Sequence, residues 1–321
     1  MRGMAARVVP LRPADVDDEL LGRVWELRRA CHALLAPGEP MPGRADVIGF
    51  MRHSSEPCWY WVSGDGAEVN GYLGVITSEG SATAFVMDLV VAPDARRQGI
   101  GRALVEAAAD QARAVGARYL VGGYFDEGGA AFARGVGARV GSDVVRRSVL
   151  SLPLSTPPVP AVDGYRVVSW LGAAPDELLD SYAEARNAIN DAPHDDAIDD
   201  ERYTPERIRA KEASAAHRDR EVRVTVAVDD AGTVAGFTSV ATQRAPGGDA
   251  FTDDTAVRAG HRRRRLAGWI KDESLRTLAA DRPDVRRVVT DNDVTNAPML
   301  AVNDRLGFVA TSYRTEAILD L

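Results

Sequence analysis

Arg96-Arg97-Gln98-Gly99-Ile100-Gly101 stands between an apolar run, Phe85 to Val91, and a stretch with apolar residues at Leu104, Val105, Ala108, Ala112 and Val115. The β-branched run predicts a buried strand, and the later spacing predicts a helix. Two glycines at a helix start let the backbone bend tightly and come close to a ligand. The first helical N–H groups lack intrahelical partners, and the positive end of the helix dipole points outward. Such a turn suits a pyrophosphate or other phosphate, and the flanking arginines add charge. The pattern is not the dinucleotide fingerprint, which needs G-x-G-x-x-G and a later acid, nor a Walker loop, since no G-K-[ST] follows.

Other residues could do acid–base work. Asp88 lies three residues before Val91 in the first half, and Asp254 three before Val257 in the second. Each is open to two readings, a general base or a strand-end carboxylate paired with an arginine. Tyr124, at the end of a predicted strand, reads first as packing at the sheet rim and could also give a proton. The run Asp191 to Glu201 holds six acids in eleven residues. It could attract a cationic amine, but it reads first as a solvated, mobile loop. His194 within it reads as a lone surface histidine. No His/Cys spacing suggests a metal, and Cys31 and Cys58 are too few for a disulfide framework. Two cysteines and no evident signal peptide make a reducing cytoplasm the expected compartment.

The elements that must position these residues repeat along the chain. A strand at Arg7 to Leu11 and a helix opening at Pro13 come first, and Pro37, Pro40 and Pro42 end that helix. A second short helix follows around Ala45 to Met51. Strands at Cys58 to Ser63 and Gly71 to Ser78 flank a Gly64-Asp65-Gly66 turn. After the turn-and-helix segment come a strand at Arg118, a short helix at Gly129 and a strand at Val144 to Leu152. Pro153 to Pro160 carries four prolines in eight residues, a stiff extended linker. The same order then recurs, from a strand at Tyr165, through helices at Pro175 and at Thr204-Pro205, to a hairpin about Asp230-Ala231-Gly232 and a final strand at Ser312. The expected organisation is a domain at 1–152, a linker at 153–163 and a second domain at 164–321.

Length and a hydrophobic content of 45% allow two sizeable cores. The formal net charge of -8 argues against nucleic acid or an anionic membrane as partner, and favours cationic small molecules. No 18-residue apolar run is present. The basic residues are nearly all arginine, with Lys211 and Lys271 the only lysines.

The strand, R-x-x-G-x-G turn and helix resemble the acetyl-CoA-binding motif of the GCN5-related N-acetyltransferase (GNAT) family. Arg96, Gly99 and Gly101 fall on its three signature positions. The resemblance implies an α/β chain of two tandem GNAT-type domains, each a mixed, mostly antiparallel sheet flanked by helices. It implies acetyl-CoA as cosubstrate, held by Leu89, Val90, Val91, Arg96, Arg97, Gln98, Gly99, Ile100, Gly101 and Arg102, with no metal. Strand N–H groups near Val90 and Val91 would stabilise the oxyanion. In the second half, Asn292, Asn296-Ala297 and Leu306-Gly307-Phe308 resemble the family's N-x-x-A…G-F segment. Arg262 and Ala267 align with its loop, but Arg265 replaces the first glycine. The first half keeps the loop but has Gly137-Ala138 in place of Gly-Phe. A Cβ at a close-approach position excludes a ligand, so the first half is expected to hold the coenzyme and the second to be partly degenerate.

The family's proton-donating tyrosine falls on Ala133 and Asn303, which leaves Tyr124 as a substitute; Asp88 and Asp254 are the expected bases. The implied activity is direct acetyl transfer to a primary amine of a small molecule. The amine of a thiol precursor is one candidate, because mycothiol synthases also carry tandem domains of this family; an amine-bearing antibiotic is another. The competing reading is a non-catalytic acyl-CoA-binding or sensing protein. Free-thiol release with a panel of amines separates the two.

Overall fold

The computed structural model describes residues 7–39, 41–64 and 68–321. Arg2, Pro40 and the expected Asp65-Gly66 turn lie outside them. Contacts divide the chain into two compact units that do not follow the linear halves. The first comprises residues up to Val144 together with His194–Asp199 and Tyr313–Leu321. The second comprises Val145–Pro193 and Asp200–Ser312.

In the first unit, β1 (Val8–Leu11), β2 (Cys58–Gly64), β3 (Val69–Thr77) and β4 (Thr83–Val91) pair antiparallel in that order. Next, β5 (Tyr119–Tyr124) adds in parallel to β4. α1 (Asp18–Leu35) and α2 (Arg44–His53) cover one face, packing Leu21, Val24 and Met51 near Tyr60 and Tyr72. α3 (Ile100–Ala114) and α4 (Glu127–Gly135) belong to the other face, where Leu104 and Ala108 meet Leu73, Val75 and Leu120. α1 starts at Asp18 rather than at Pro13. The Asp17 side chain accepts from the Leu20 N–H at 2.9 Å, so the cap sits five residues into the predicted helix.

The second unit repeats this plan. β7 (Tyr165–Leu171), β8 (Glu221–Asp229), β9 (Val234–Thr242) and β10 (Ala250–Val257) pair antiparallel, and β11 (Arg287–Asp293) runs parallel to β10. All nine residues of β9 are buried, which is why that strand is apolar or small-polar throughout and does not alternate. α5 (Asp176–Arg186) and α6 (Pro205–Ala216) pack one face around Trp170, Tyr182 and Phe237. α7 (Leu266–Asp281) and α8 (Ala297–Leu306) close the other. The proline-rich segment after β6 (Arg139–Ser151) is extended, as expected, but anchored on α7: Val159 N–H donates to Asp272 at 3.0 Å, and Arg276 donates to the Thr156 carbonyl at 2.7 Å.

The sixth strand of each sheet comes from the other half of the sequence. β12 (Val309–Asp320) pairs antiparallel with β5 over Thr315–Asp320, and β6 pairs antiparallel with β11 over Val145–Ser151. The boundary expected at 152/153 therefore marks order along the chain, whereas the contacts change hands at Val144 and again at Tyr313.

The acidic run also differs from the expectation of a solvated loop. In the first unit Asp199 accepts from Ser81 Oγ at 2.9 Å and from the Ala82 N–H at 2.6 Å. The Ala197 carbonyl accepts from Thr83 Oγ1, and its methyl packs with Val121 and Ile318. Asp195 is buried beside Arg139. His194 is exposed, as expected.

Candidate functional site

Each unit opens where its parallel strands part. β4 pairs with β5 only from Thr83 to Phe85, opposite Tyr119 to Val121, although both strands run on, to Val91 and Tyr124. β10 pairs with β11 only at Ala250–Phe251 with Val288–Val289. Beyond these points the facing edges have no ladder partner, so their N–H and C=O groups can serve an inserted ligand. A bulge lies on the other edge of the same strand in both units. Gly74 faces Asp88 and Val75 faces Val86, so Met87 is the extra residue. In β10 the register shifts between Thr252 and Thr255. Bulges re-aim neighbouring side chains, and here they precede Asp88 and enclose Asp254.

The predicted phosphate turn sits at the end of the parted strand. After a single 3₁₀ turn at Pro93–Ala95, Arg97 has φ 63° and Gly99, the residue before α3, has φ 86°. Arg96 donates through Nε to the Val91 carbonyl at 3.2 Å, closing the turn. Alternation of left- and right-handed residues makes a concave nest of N–H groups. A Cβ at Gly99 would meet nothing within 4 Å, so the fold leaves that side open. Gln98 ties back to the Asp94 carbonyl at 3.2 Å. Ile100 is buried in the α3 core and Arg102 donates to the Gly135 carbonyl. Gly101 has a packing role: a Cβ there would lie 3.0 Å from the Phe132 ring.

The second unit keeps the same backbone without the glycine. Arg263 has φ 61° and Arg265 φ 66°, ψ 12°, close to the 86°, -6° of Gly99. Arg262 donates to the Val257 carbonyl at 2.9 Å, as Arg96 does to Val91. The sequence suggested a damaged loop; the backbone shape survives the substitution. One difference is electrostatic, for Arg262 is ion-paired with Asp191 and Arg96 has no carboxylate partner among the described residues.

Both candidate bases are the arginine-paired kind. Asp88 takes a hydrogen bond from Arg28 of α1, and Asp254 from Arg186 of α5. Their side chains stay 32% and 28% exposed. Burial pushes both carboxyls above the usual range, and the adjacent guanidinium opposes that rise. Arg186 is held further by the hydroxyls of Tyr182 and Tyr203, at 3.2 and 3.1 Å, and its guanidinium lies 4.3 Å from the Tyr203 ring centroid. Neither arginine stood out in the sequence, because nothing local ties a helix residue to a carboxylate 60 or 68 positions away.

Tyr124 is half-buried at the end of β5, on the α4 side, where its Cβ limits Gly129. Asp88 faces α1, on the opposite side of the sheet, so the two approach the parted strands from different faces. Leu89, Val90 and Val91 form the parted edge itself. In the second unit Asn303 is buried and bonded to Lys271, a residue the sequence reading passed over. Its signal was one of the chain's two lysines set directly after the core pair Trp269–Ile270. Among the described residues no group of three or more His, Cys, Asp or Glu could hold a metal, and no helix is long and apolar enough to cross a membrane.

Comparison with known proteins agrees with this geometry. The family model for the acetyltransferase (GNAT) family matches twice, at residues 22–134 and 180–308. A tandem GNAT protein from the clavulanic acid biosynthesis pathway is 30% identical, with a TM-score of 0.81 over 98% of both chains. A GCN5-related N-acetyltransferase from Sphaerobacter thermophilus shares the fold at 19% identity, with a TM-score of 0.69 over 98% of this chain and 95% of its own. A putative acetyltransferase from Pyrococcus horikoshii does so at 14% identity, with a TM-score of 0.60 over 100% and 90%. No curated protein matches. Two parted-strand crevices, each ending in a nest of N–H groups, and a family match in each half identify the chain as a tandem member of the GNAT family of acyltransferases.

Proposed function

We propose that the protein transfers an acetyl group from acetyl-CoA to the primary amine of a small molecule by direct attack. The observation that supports this most is the Arg96–Gly101 nest at the open end of the β4–β5 gap. When bound, the coenzyme supplies an activated acyl group. The nest would hold its diphosphate, and the unpaired edge at Leu89–Val91 would offer N–H groups to the developing oxyanion. Asp88 takes the proton that the ammonium must lose, and Arg28 keeps that carboxylate in place. Tyr124, whose hydroxyl has no hydrogen bond among the described residues, gives a proton on the other face. The products balance as the N-acetylamine, the free thiol and one proton.

The first unit is the stronger coenzyme site, because among the described residues no carboxylate competes for Arg96, whereas Arg262 must leave Asp191. The net charge of -8 favours a cationic acceptor, and the two free cysteines fit a reducing, cytoplasmic setting. The test is thiol release from acetyl-CoA with a panel of small amines. Gly99→Val should remove most coenzyme binding. Binding undiminished in Gly99→Val and lost on changing the Arg262 to Ala267 loop would move the main site to the second unit.

A second reading, binding or sensing of acyl-CoA without turnover, is favoured by the ion pairing of both Asp88 and Asp254. Tight coenzyme binding without thiol release for any amine would select it.

A further inference from the structure

The second unit contains a buried amine with no counter-charge among the described residues. Lys271 on α7 is 1% exposed. It donates to Asn303 Oδ1 on α8 at 2.6 Å, lies 3.5 Å from Thr290 Oγ1 on β11, and sits 4.9 Å above the Phe308 ring centroid. Among the described residues no carboxylate faces it. Asp272 is turned to Arg276 and the Val159 N–H, Asp291 to Arg147, and Asp304 to Arg146. Burying an amine without a carboxylate is unfavourable, and the fold does not require one here. Counted from the equivalent caps Gly99 and Arg265, Lys271 corresponds to Val105, and from the caps Asp126 and Asn296, Asn303 corresponds to Ala133. The first unit fills the same layer with apolar side chains.

Hydrogen-bond polarity gives the cluster a direction. An ammonium can only donate, so the carbonyl of the Asn303 amide must face Lys271. The Asn303 NH₂ then faces Asn292, and donates to its Oδ1 at 2.6 Å. That leaves the NH₂ of Asn292 as the far end of the chain. Asn292 is half-buried and lies on β11 beyond Val289, the last residue paired with β10, and its NH₂ has no partner among the described residues. The crevice is thus offered donors whose orientation is set from within the core.

We propose that Lys271 is a positioning residue for the second unit's crevice: acting through Asn303, it locks the Asn292 amide with its N–H groups turned to an acceptor or anionic atom of a bound acyl-CoA or CoA. This rests on the reading that the chain binds the coenzyme, and it makes the second unit a working coenzyme site. Burial lowers the Lys271 pKa to about 7. A neutral amine can also accept, so the lock loosens as pH rises through that range.

The chain has two lysines, so the full-length protein labelled with [¹³C,¹⁵N]lysine gives two side-chain signals, with Lys211 as internal reference. Coenzyme A is the probe. Lys271 should titrate near neutrality, shift on addition of coenzyme A, and titrate at a higher pH when coenzyme A is bound. In a Gly99→Val background, where binding reports the second unit, Lys271→Met should weaken coenzyme A by about tenfold, the scale of one oriented hydrogen bond, and Lys271→Gln should recover part of it. A Lys271 signal unmoved by saturating coenzyme A overturns the proposal, even if thiol release proceeds. Movement of Lys271 without thiol release for any amine upholds it and sinks the transferase reading instead. Absence of coenzyme A binding to either unit overturns both.

Discussion

The two crevices share a backbone and differ in what fills it. The first has glycine at the left-handed cap, an Arg96 without a carboxylate partner among the described residues, and apolar side chains between α3 and α4. The second has Arg265 at the same cap, Arg262 paired to Asp191, and the Lys271–Asn303–Asn292 chain between α7 and α8. Non-glycine residues at positive φ store roughly 1–3 kcal/mol and persist only where the surroundings impose them. That Arg97, Arg263 and Arg265 all accept this conformation says the turn is demanded by the strand–helix joint. Glycine makes the shape easy; it does not create it. The lesson is that the second loop should be judged by its charges rather than by its missing glycine.

The largest expected effect separates the units altogether. Ending the chain at Ser312 removes the strand that completes the first sheet and leaves the second sheet's sixth strand, β6, in place. Amide exchange should then lose protection throughout β2 to β4, while β8 to β10 stay protected, a difference of at least about 5 kcal/mol. Equal loss in both, or none, would show that strand exchange is not what closes the sheets.

Next come the ion pairs. Arg186→Met leaves Asp254 without its partner and should cost about 3 kcal/mol by denaturant unfolding, near the low end for a buried pair because the carboxylate is partly exposed. Arg28→Met should cost less, since Arg28 lies 5.8 Å from the Tyr72 ring centroid, whereas Arg186 lies 4.3 Å from that of Tyr203 and 5.0 Å from that of Phe237. Arg186→Met combined with Asp254→Asn should regain much of the loss. If the two single variants are equally mild, the pairs are peripheral.

Smaller again is a pH effect confined to the second unit. With the folded pKa of Lys271 near 7 and an unfolded value of about 10.4, the unfolded chain binds the extra proton between those limits. Stability should therefore climb as pH rises from about 7 to about 10, by a few kcal/mol. Lys271→Met should flatten the climb, and thermal unfolding followed over that pH range checks it.

The smallest effect tests the caps directly. Arg265→Gly should stabilise by about 1 kcal/mol, and Gly99→Ala should destabilise by a similar amount. Opposite signs sharpen the equivalence of the two turns; matching signs break it.

The sequence exposed what is local. The Arg96–Gly101 turn, the helix start at Thr204-Pro205 and most strands of the repeat stand in short windows of residues. What escaped is set by distant partners. Asp17 outcompeted Pro13 as the start of α1 because its side chain reaches the Leu20 N–H. The arginines that hold Asp88 and Asp254 are chosen by the facing of two elements, and spacing along the chain carries no trace of that. The run around Asp195 to Asp199 reads as solvated by composition, yet it is pinned by Ser81, Ala82 and Thr83, more than a hundred residues earlier. Lys271 could have been noticed as a charge among core positions, but its value lies in Asn303 and Asn292, which only the fold brings to it.

The strand from Tyr313 onward also has a consequence for biosynthesis. A ribosome delivers the first unit's helices and five of its strands early, but the edge of β5 stays bare until some two hundred further residues have been made. During that interval the nascent chain carries an unsatisfied strand edge, the kind of surface that chaperones shield and that pairs wrongly with neighbours. Slowing translation should therefore prolong the hazardous stage rather than relieve it.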